Sequence, residues 1–315
     1  MARIAAVTAF CLLALFHSTM SITVQEFFPE AKSNLTKIKW SHATNSQEAL
    51  KKALDSSDVH MIEADVVMGT LKTNPPNNNT MPIMGHPPAN SSDLSLADFL
   101  KQVTANKKKG IKLDFKSIEA FKAAIPEIQA LGNLTVPLWL NADILKGPVN
   151  ATDEPKPVDA AEFLKEAAKL PQTLLSIGWT TRLEETTANV TSGKYLTEQI
   201  DAMVKVIQDQ KVNQSVTYPV RACFAANDVE VLQKLLSSTK ANNPTLTIWS
   251  SEGDKVDAAK LSTVIKTVGL DKVFVDVPQT LWAQLHLANS AFTAKSSFSV
   301  LLASMLVALS AVKLL

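Results

Sequence analysis

The chain has 315 residues, 46% of them hydrophobic, and a formal net charge of +1. That length holds one large domain with a substantial core, or two smaller ones. The balanced charge and the presence of only three arginines (Arg3, Arg182 and Arg221) argue against nucleic acid as a partner, because phosphate backbones are held by dense basic patches.

Residues 1–21 open with one basic residue, Arg3, followed by an apolar run over 4–16 and small polar residues. This is the pattern of a secretory signal peptide, which places the rest of the chain in the secretory pathway. Asn34, Asn78, Asn90, Asn133, Asn150, Asn189 and Asn213 all stand in N-x-[ST] triplets, as expected for an exported glycoprotein. Cys11 falls in the signal peptide and leaves Cys223 alone, so no disulfide framework is expected. Within its apolar run, Cys223 reads as a small buried hydrophobe.

Beyond residue 37, β-rich runs alternate with helical patterns. The expected strands cover 38–42, 60–67, 110–116, 136–144, 173–181, 216–225, 246–251 and 272–277. The expected helices cover 46–55, 93–106, 117–131, 158–170, 195–210, 227–238, 254–268 and 279–289, with Ser46, Ser117 and Asn227 as caps. Nearly uniform apolar strands separated by helices imply a parallel sheet covered on both faces. Eight such units without a linker or a Gly-rich nucleotide loop predict a single (β/α)8 TIM barrel over about residues 36–290. The stretch from Asn74 to Thr80 is an Asn- and Pro-rich polar loop. Residues 291–315 end in an apolar run followed only by Lys313 and two leucines. A membrane span normally carries a basic stop there, so the tail reads as a GPI-attachment signal, holding the domain on the outer membrane leaflet through a lipid anchor.

The polar residues gather at the carboxyl ends of these strands, where a barrel forms its shared pocket. Glu63 and Asp65 alternate on one face of the second strand, and Lys112, Asp114 and Lys116 on one face of the third. Close carboxylates in an apolar strand need a positive partner, either a metal ion or lysines such as Lys112 and Lys116. His42 ends the first strand and His86 follows the second, while His60 and His286 read as packing histidines. Asn141, Asp143, Trp179, Arg221 and Trp249 mark the ends of later strands. Glu63, Asp65 and Asp114 form a hard, oxygen-only set suited to Mg²⁺ or Ca²⁺ as cofactor. Such an ion would neutralise a phosphodiester, with one histidine as base or nucleophile and the other as acid, and with Lys116 or Lys112 on the remaining charge.

His42, Glu63-x-Asp65, His86 and Asp114-x-Lys116, in that order, resemble the phospholipase C-like phosphodiesterase superfamily of glycerophosphodiesterases and sphingomyelinases D. Asp114-Phe-Lys116 is nearer the latter. At closer range, the segments 40–46, 62–65, 82–88, 110–116 and 140–145 are similar to the menorin family of secreted and membrane-attached animal proteins. Where many glycerophosphodiesterases have His-Arg-Gly, this chain has His42-Ala43-Thr44, and Pro87 stands where they have an acid. The resemblance implies metal ligands at Glu63, Asp65 and Asp114, catalytic roles for His42, His86 and Lys116, and a phosphodiester or lipid head group as substrate. It equally implies a second role, as a non-enzymatic ligand or adhesion co-factor for cell-surface adhesion molecules or receptors, as in dendrite patterning.

Overall fold

The structure, a computed structural model, describes residues 21–73, 75, 78–148, 156–181 and 193–287. In chain order its strands are β1 Trp40–Ser41, β2 Met61–Leu71, β3 Thr80–Met84, β4 Ser91–Ser92, β5 Gly110–Phe115, β6 Leu138–Lys146, β7 Leu174–Thr180, β8 Val216–Arg221, β9 Thr245–Trp249 and β10 Val273–Asp276. Its helices are α1 Val24–Phe27, α2 Gln47–Asp55, α3 Leu96–Asn106, α4 Ile118–Gln129, α5 Ala160–Ala167, α6 Thr197–Asp209, α7 Ala222–Ala225, α8 Val229–Ser238, α9 Ala258–Val268 and α10 Gln279–Trp282. The strands β1-β2-β5-β6-β7-β8-β9-β10 lie side by side in that order, each parallel to the next. With helices between them they form the expected (β/α)8 barrel. The compact unit ends at Leu285.

No ladder joins β1 to β10 among the described residues. Side chains and one backbone bond cross this seam instead. Leu35 N–H donates to Leu270 O at 2.7 Å, and the rings of Trp40 and Phe274 meet edge-on at 6.3 Å. Below the seam, Val24, Phe28, Ala31, Leu35 and Ile38 pack with Met61, Trp139 and Phe274. The segment before β1 thus plugs the amino-terminal end of the barrel with apolar side chains.

Short polar residues set where the helices begin. Ser46, Ser95, Ser117, Asp159, Asp228 and Asp257 each accept a hydrogen bond from a backbone N–H in the first turn, satisfying donors that the helix leaves free. The cap expected at Asn227 is therefore Asp228, one residue later.

Several elements depart from expectation. The run 216–225 is strand only to Arg221, after which Ala222–Ala225 turns helical. The last helix is the single turn Gln279–Trp282 rather than an element reaching 289. β2 continues to Leu71 and folds back as an antiparallel hairpin with β3, where only a loop was expected. Residues 1–20 of the expected signal peptide, the expected attachment signal over 291–315, and Arg182, Asn150 and Asn189 lie outside the described residues. Among the described residues no helix is long and apolar enough to cross a membrane.

Candidate metal centre and active site

Strand register brings the carboxylates together. β2 pairs with β5 so that Glu63 lies beside Lys112 and Asp65 beside Asp114, and β5 pairs with β6 so that Asp114 lies beside Asn141. Glu63, Asp65 and Asp114 each offer one oxygen, and these atoms lie within 4.8 Å of one another. Oxygens gathered this closely on three carboxylates are the kind of donor set that would hold a divalent ion. The set opens into a cavity of about 460 Å³ at the carboxyl ends of the strands, which His42, His86, Lys112, Lys116, Asn141, Asp143 and Arg221 also line.

Each acid is held by a different device. Asp65 is gripped twice by Asn45, whose Nδ2 donates to Oδ2 at 2.7 Å and whose Oδ1 accepts from the Asp65 N–H at 2.9 Å. The Asp65 Oδ1 and Asp114 Oδ2 atoms share the Lys116 ammonium, at 2.8 and 2.7 Å. Asp114 Oδ1 accepts from Asn141 Nδ2 at 2.7 Å, and Ser176 Oγ donates to Asn141 Oδ1 at 2.6 Å, which fixes the amide. Glu63 Oε2 accepts the Ala43 N–H at 2.7 Å. Ala43 provides it from a left-handed backbone with φ +51°, a strain of order 1 kcal/mol of the kind found at functional sites.

The electrostatics follow from this wiring. Burial works to raise the Asp114 carboxyl, but Lys116, Lys112 and the Asn141 hydrogen bond outweigh it and hold it at about 2. Burial opposes the charge on Lys116, yet Asp114 and Asp65 push its ammonium well above the usual range. Glu63 shifts upward, chiefly because burial disfavours its charge, with His42 pulling the other way. Three carboxylates thus face one directly bonded ammonium, with His42 and Lys112 also acting on Glu63. The oxygen-only donor set fits a hard divalent ion.

The histidines are oriented through their Nδ1 atoms. His42 Nδ1 lies 2.7 Å from Asp276 Oδ2 across the barrel seam. Burial lowers its proton affinity, but Glu63 and Asp276 overcome this and push its pKa up to about 9. The hydrogen bond between His86 Nδ1 and the Pro87 carbonyl, at 2.8 Å, requires a proton on Nδ1 because a carbonyl only accepts. In both rings Nε2 is the nitrogen left for a ligand.

The sequence matches the Menorin N-terminal domain over residues 34–282. It is 33% identical over 245 residues to Protein FAM151B of Homo sapiens, covering 76% of this chain and 82% of that protein. The chain belongs to the menorin family. Solved structures with a looser likeness include a glycerophosphodiester phosphodiesterase from Parabacteroides distasonis ATCC 8503, at 13% identity and TM-score 0.44 over 81% of this chain and 98% of that one. Another is 2,3-dimethylmalate lyase, at 9% identity and TM-score 0.41 over 93% and 88%. Neither likeness is close enough to speak to function.

In this menorin-family barrel the six expected site residues, His42, Glu63, Asp65, His86, Asp114 and Lys116, all line one cavity. Trp179 does not join them, contrary to expectation. It is buried, its Nε1 donates to Gln199 O at 3.3 Å, and its ring packs on Tyr195. Arg221 lies on the rim but is committed to a two-pronged ion pair with Asp254, at 2.8 and 2.7 Å, and to the face of Trp249. His60 is a packing residue, its ring edge-on to Phe28. Cys223 is buried, and burial pushes its thiol up to about 12. Sequence reasoning missed Asn45 and Asp276. The signal for Asp276 was its place at the end of the last strand, next to the first in a closed barrel.

Proposed function

We propose that this menorin-family protein is an extracellular, surface-anchored, divalent-metal phosphodiesterase acting on a phospholipid or glycerophosphodiester. The observation that carries this is the convergence of three carboxylates and two oriented imidazoles on one cavity. Glu63, Asp65 and Asp114 hold the ion, which when bound neutralises charge on the non-bridging phosphate oxygens. His42 and His86 present their Nε2 atoms, one as base or nucleophile and the other to protonate the leaving oxygen. Lys116, in contact with both aspartates, is placed to offset the remaining negative charge. Support for export and anchoring comes from the signal-like first 21 residues and the apolar tail over 291–315, and from exposed acceptor asparagines at Asn78, Asn90, Asn133 and Asn213.

The test is a hydrolysis screen over glycerophosphodiesters and lysophospholipids with Mg²⁺ or Ca²⁺. Turnover should depend on the ion and fall by about 10²–10⁴ in His42→Ala, while that variant keeps the thermal shift that the ion induces. Treating expressing cells with a phospholipase that cuts glycolipid anchors should release the protein. A second reading, an extracellular ligand or adhesion co-factor without turnover, is favoured by Lys116, which pairs with two of the three acids from within the chain. Absence of both ion-induced stabilisation and hydrolysis would decide for it.

A further inference from the structure

One acid in the cavity is used by none of this machinery. Asp143 lies on β6, two residues beyond Asn141 on the same inward face, so it stands roughly 7 Å nearer the mouth. The β6–β7 register shifts between Asp143 and Leu145, an irregularity of the kind that re-aims a side chain beside a site. Opposite it, β7 carries Gly178, and a Cβ there would come within 3.1 Å of Asp143 Oδ1 and 2.7 Å of the Pro219 ring. The missing side chain is thus what makes room for the carboxylate. The Asp143 backbone carbonyl accepts from the Val158 N–H, but among the described residues its side-chain carboxylate has no hydrogen-bond or ion-pair partner, although the residue is partly buried and lines the cavity. A partly buried carboxyl without a partner is costly, and a ligand group that satisfies it recovers that cost.

The class of that group follows from the surroundings. Lys112, Lys116, Lys156 and Arg221 line the same cavity. Lys116 and Arg221 are paired with acids and a divalent ion would balance the charge left on the triad, so the positive charge that an incoming group meets is that of Lys112 and Lys156. A cationic head group meets repulsion there, whereas a hydroxyl donates to the carboxylate without bringing charge. We propose that Asp143 is a specificity-determining residue, accepting a hydrogen bond from a hydroxyl on the organic group beside the substrate phosphate. The proposal rests on reading the cavity as a phosphodiester site. It goes further in naming a hydroxyl-bearing alcohol as the preferred portion of the substrate and Asp143 as the group that reads it.

Binding tests this without turnover. Titrate sn-glycerol 3-phosphate, propyl phosphate and choline phosphate into the full-length protein with saturating Mg²⁺, comparing wild type, Asp143→Ala and Asp143→Asn. The wild type should bind glycerol phosphate about tenfold more tightly than either of the others, the usual discrimination from one hydrogen bond to a charged group. Asp143→Ala should remove that preference while keeping propyl phosphate affinity within twofold. Asp143→Asn, which retains an accepting oxygen in nearly the same shape, should keep part of it, and melting temperatures of both variants establish that they fold. Equal affinities in the wild type, a preference for choline phosphate, or a glycerol preference that survives Asp143→Ala each overturn the proposal. If no phosphate ester binds at all, the phosphodiester reading itself fails, a result distinct from phosphate binding without hydroxyl preference.

Discussion

The two ends of the barrel are built on the same strands from opposite chemistry. At the amino-terminal end, Met61, Trp139 and Phe274 meet the plug formed by Val24, Phe28, Leu35 and Ile38. A few residues along, the same strands present Glu63, Asp65, Asn141 and Asp276. Lys112 marks the boundary, with its ammonium 5.9 Å from the centre of the Trp40 ring and its neighbour in register an acid. Burial of apolar surface stabilises the lower end, while the upper end concentrates charges whose desolvation opposes folding. The rim acids are thus carried at a cost that the plug offsets. Substitutions at the two ends should therefore move stability and site properties separately.

The largest expected effect is at the plug. Trp139 is buried and its ring lies 5.4 Å from that of Trp40 and 4.9 Å from that of Phe274. Trp139→Ala should cost about 3–5 kcal/mol in denaturant unfolding. Nearly as large is the one rim feature that is structural. Arg221 and Asp254 are both buried, and Arg221→Met leaves the Asp254 carboxylate without its main partner, at about 3 kcal/mol. A loss below 1 kcal/mol in Trp139→Ala would break the division between the ends. Smaller again is the effect of the ion. At 100 times its dissociation constant, Mg²⁺ or Ca²⁺ should stabilise the wild type by about 2.7 kcal/mol, and Asp114→Asn should lose most of that shift in thermal melts.

The barrel itself was legible in the sequence, because apolar strands and helical periods are local patterns, whereas the plug before β1 was not among the expected elements. All eight barrel strands lie where expected, within a few residues. The β2–β3 hairpin was not, since Pro82 and the Asn-rich approach to it read as loop. The run after Arg221 failed for another reason, as Ala222-Cys223-Phe224-Ala225 is equally apolar in a strand or a buried helix. At the rim, alternation put Glu63 with Asp65 and Lys112 with Asp114 and Lys116. What alternation cannot reach are contacts across the closing seam, such as His42 with Asp276, 234 residues apart. Trp179 shows the opposite error, because a position near a strand end does not say which face the side chain takes.

The smallest expected effect lies away from both ends, where an acid carries a desolvation cost without any site to justify it. Glu127 sits on α4, and its Oε2 is buried without a hydrogen-bond partner among the described residues. Burial, then the nearby Asp98, pushes its carboxyl up to about 7 from an ordinary 4.5. The folded state therefore holds a proton that the unfolded chain releases as pH rises between these values. Its contribution to stability is fully present below pH 4.5, declines through the window up to about 7, and is flat beyond. Glu127→Gln removes the titration. The variant should match the wild type near pH 4 and exceed it above pH 7 by about 1 kcal/mol, a figure reduced for the solvent that still reaches the partly exposed side chain. Unfolding free energies across that range decide the matter. A difference that does not grow with pH would show that Glu127 is solvated like any surface carboxylate, and that desolvated acids in this barrel are confined to the rim.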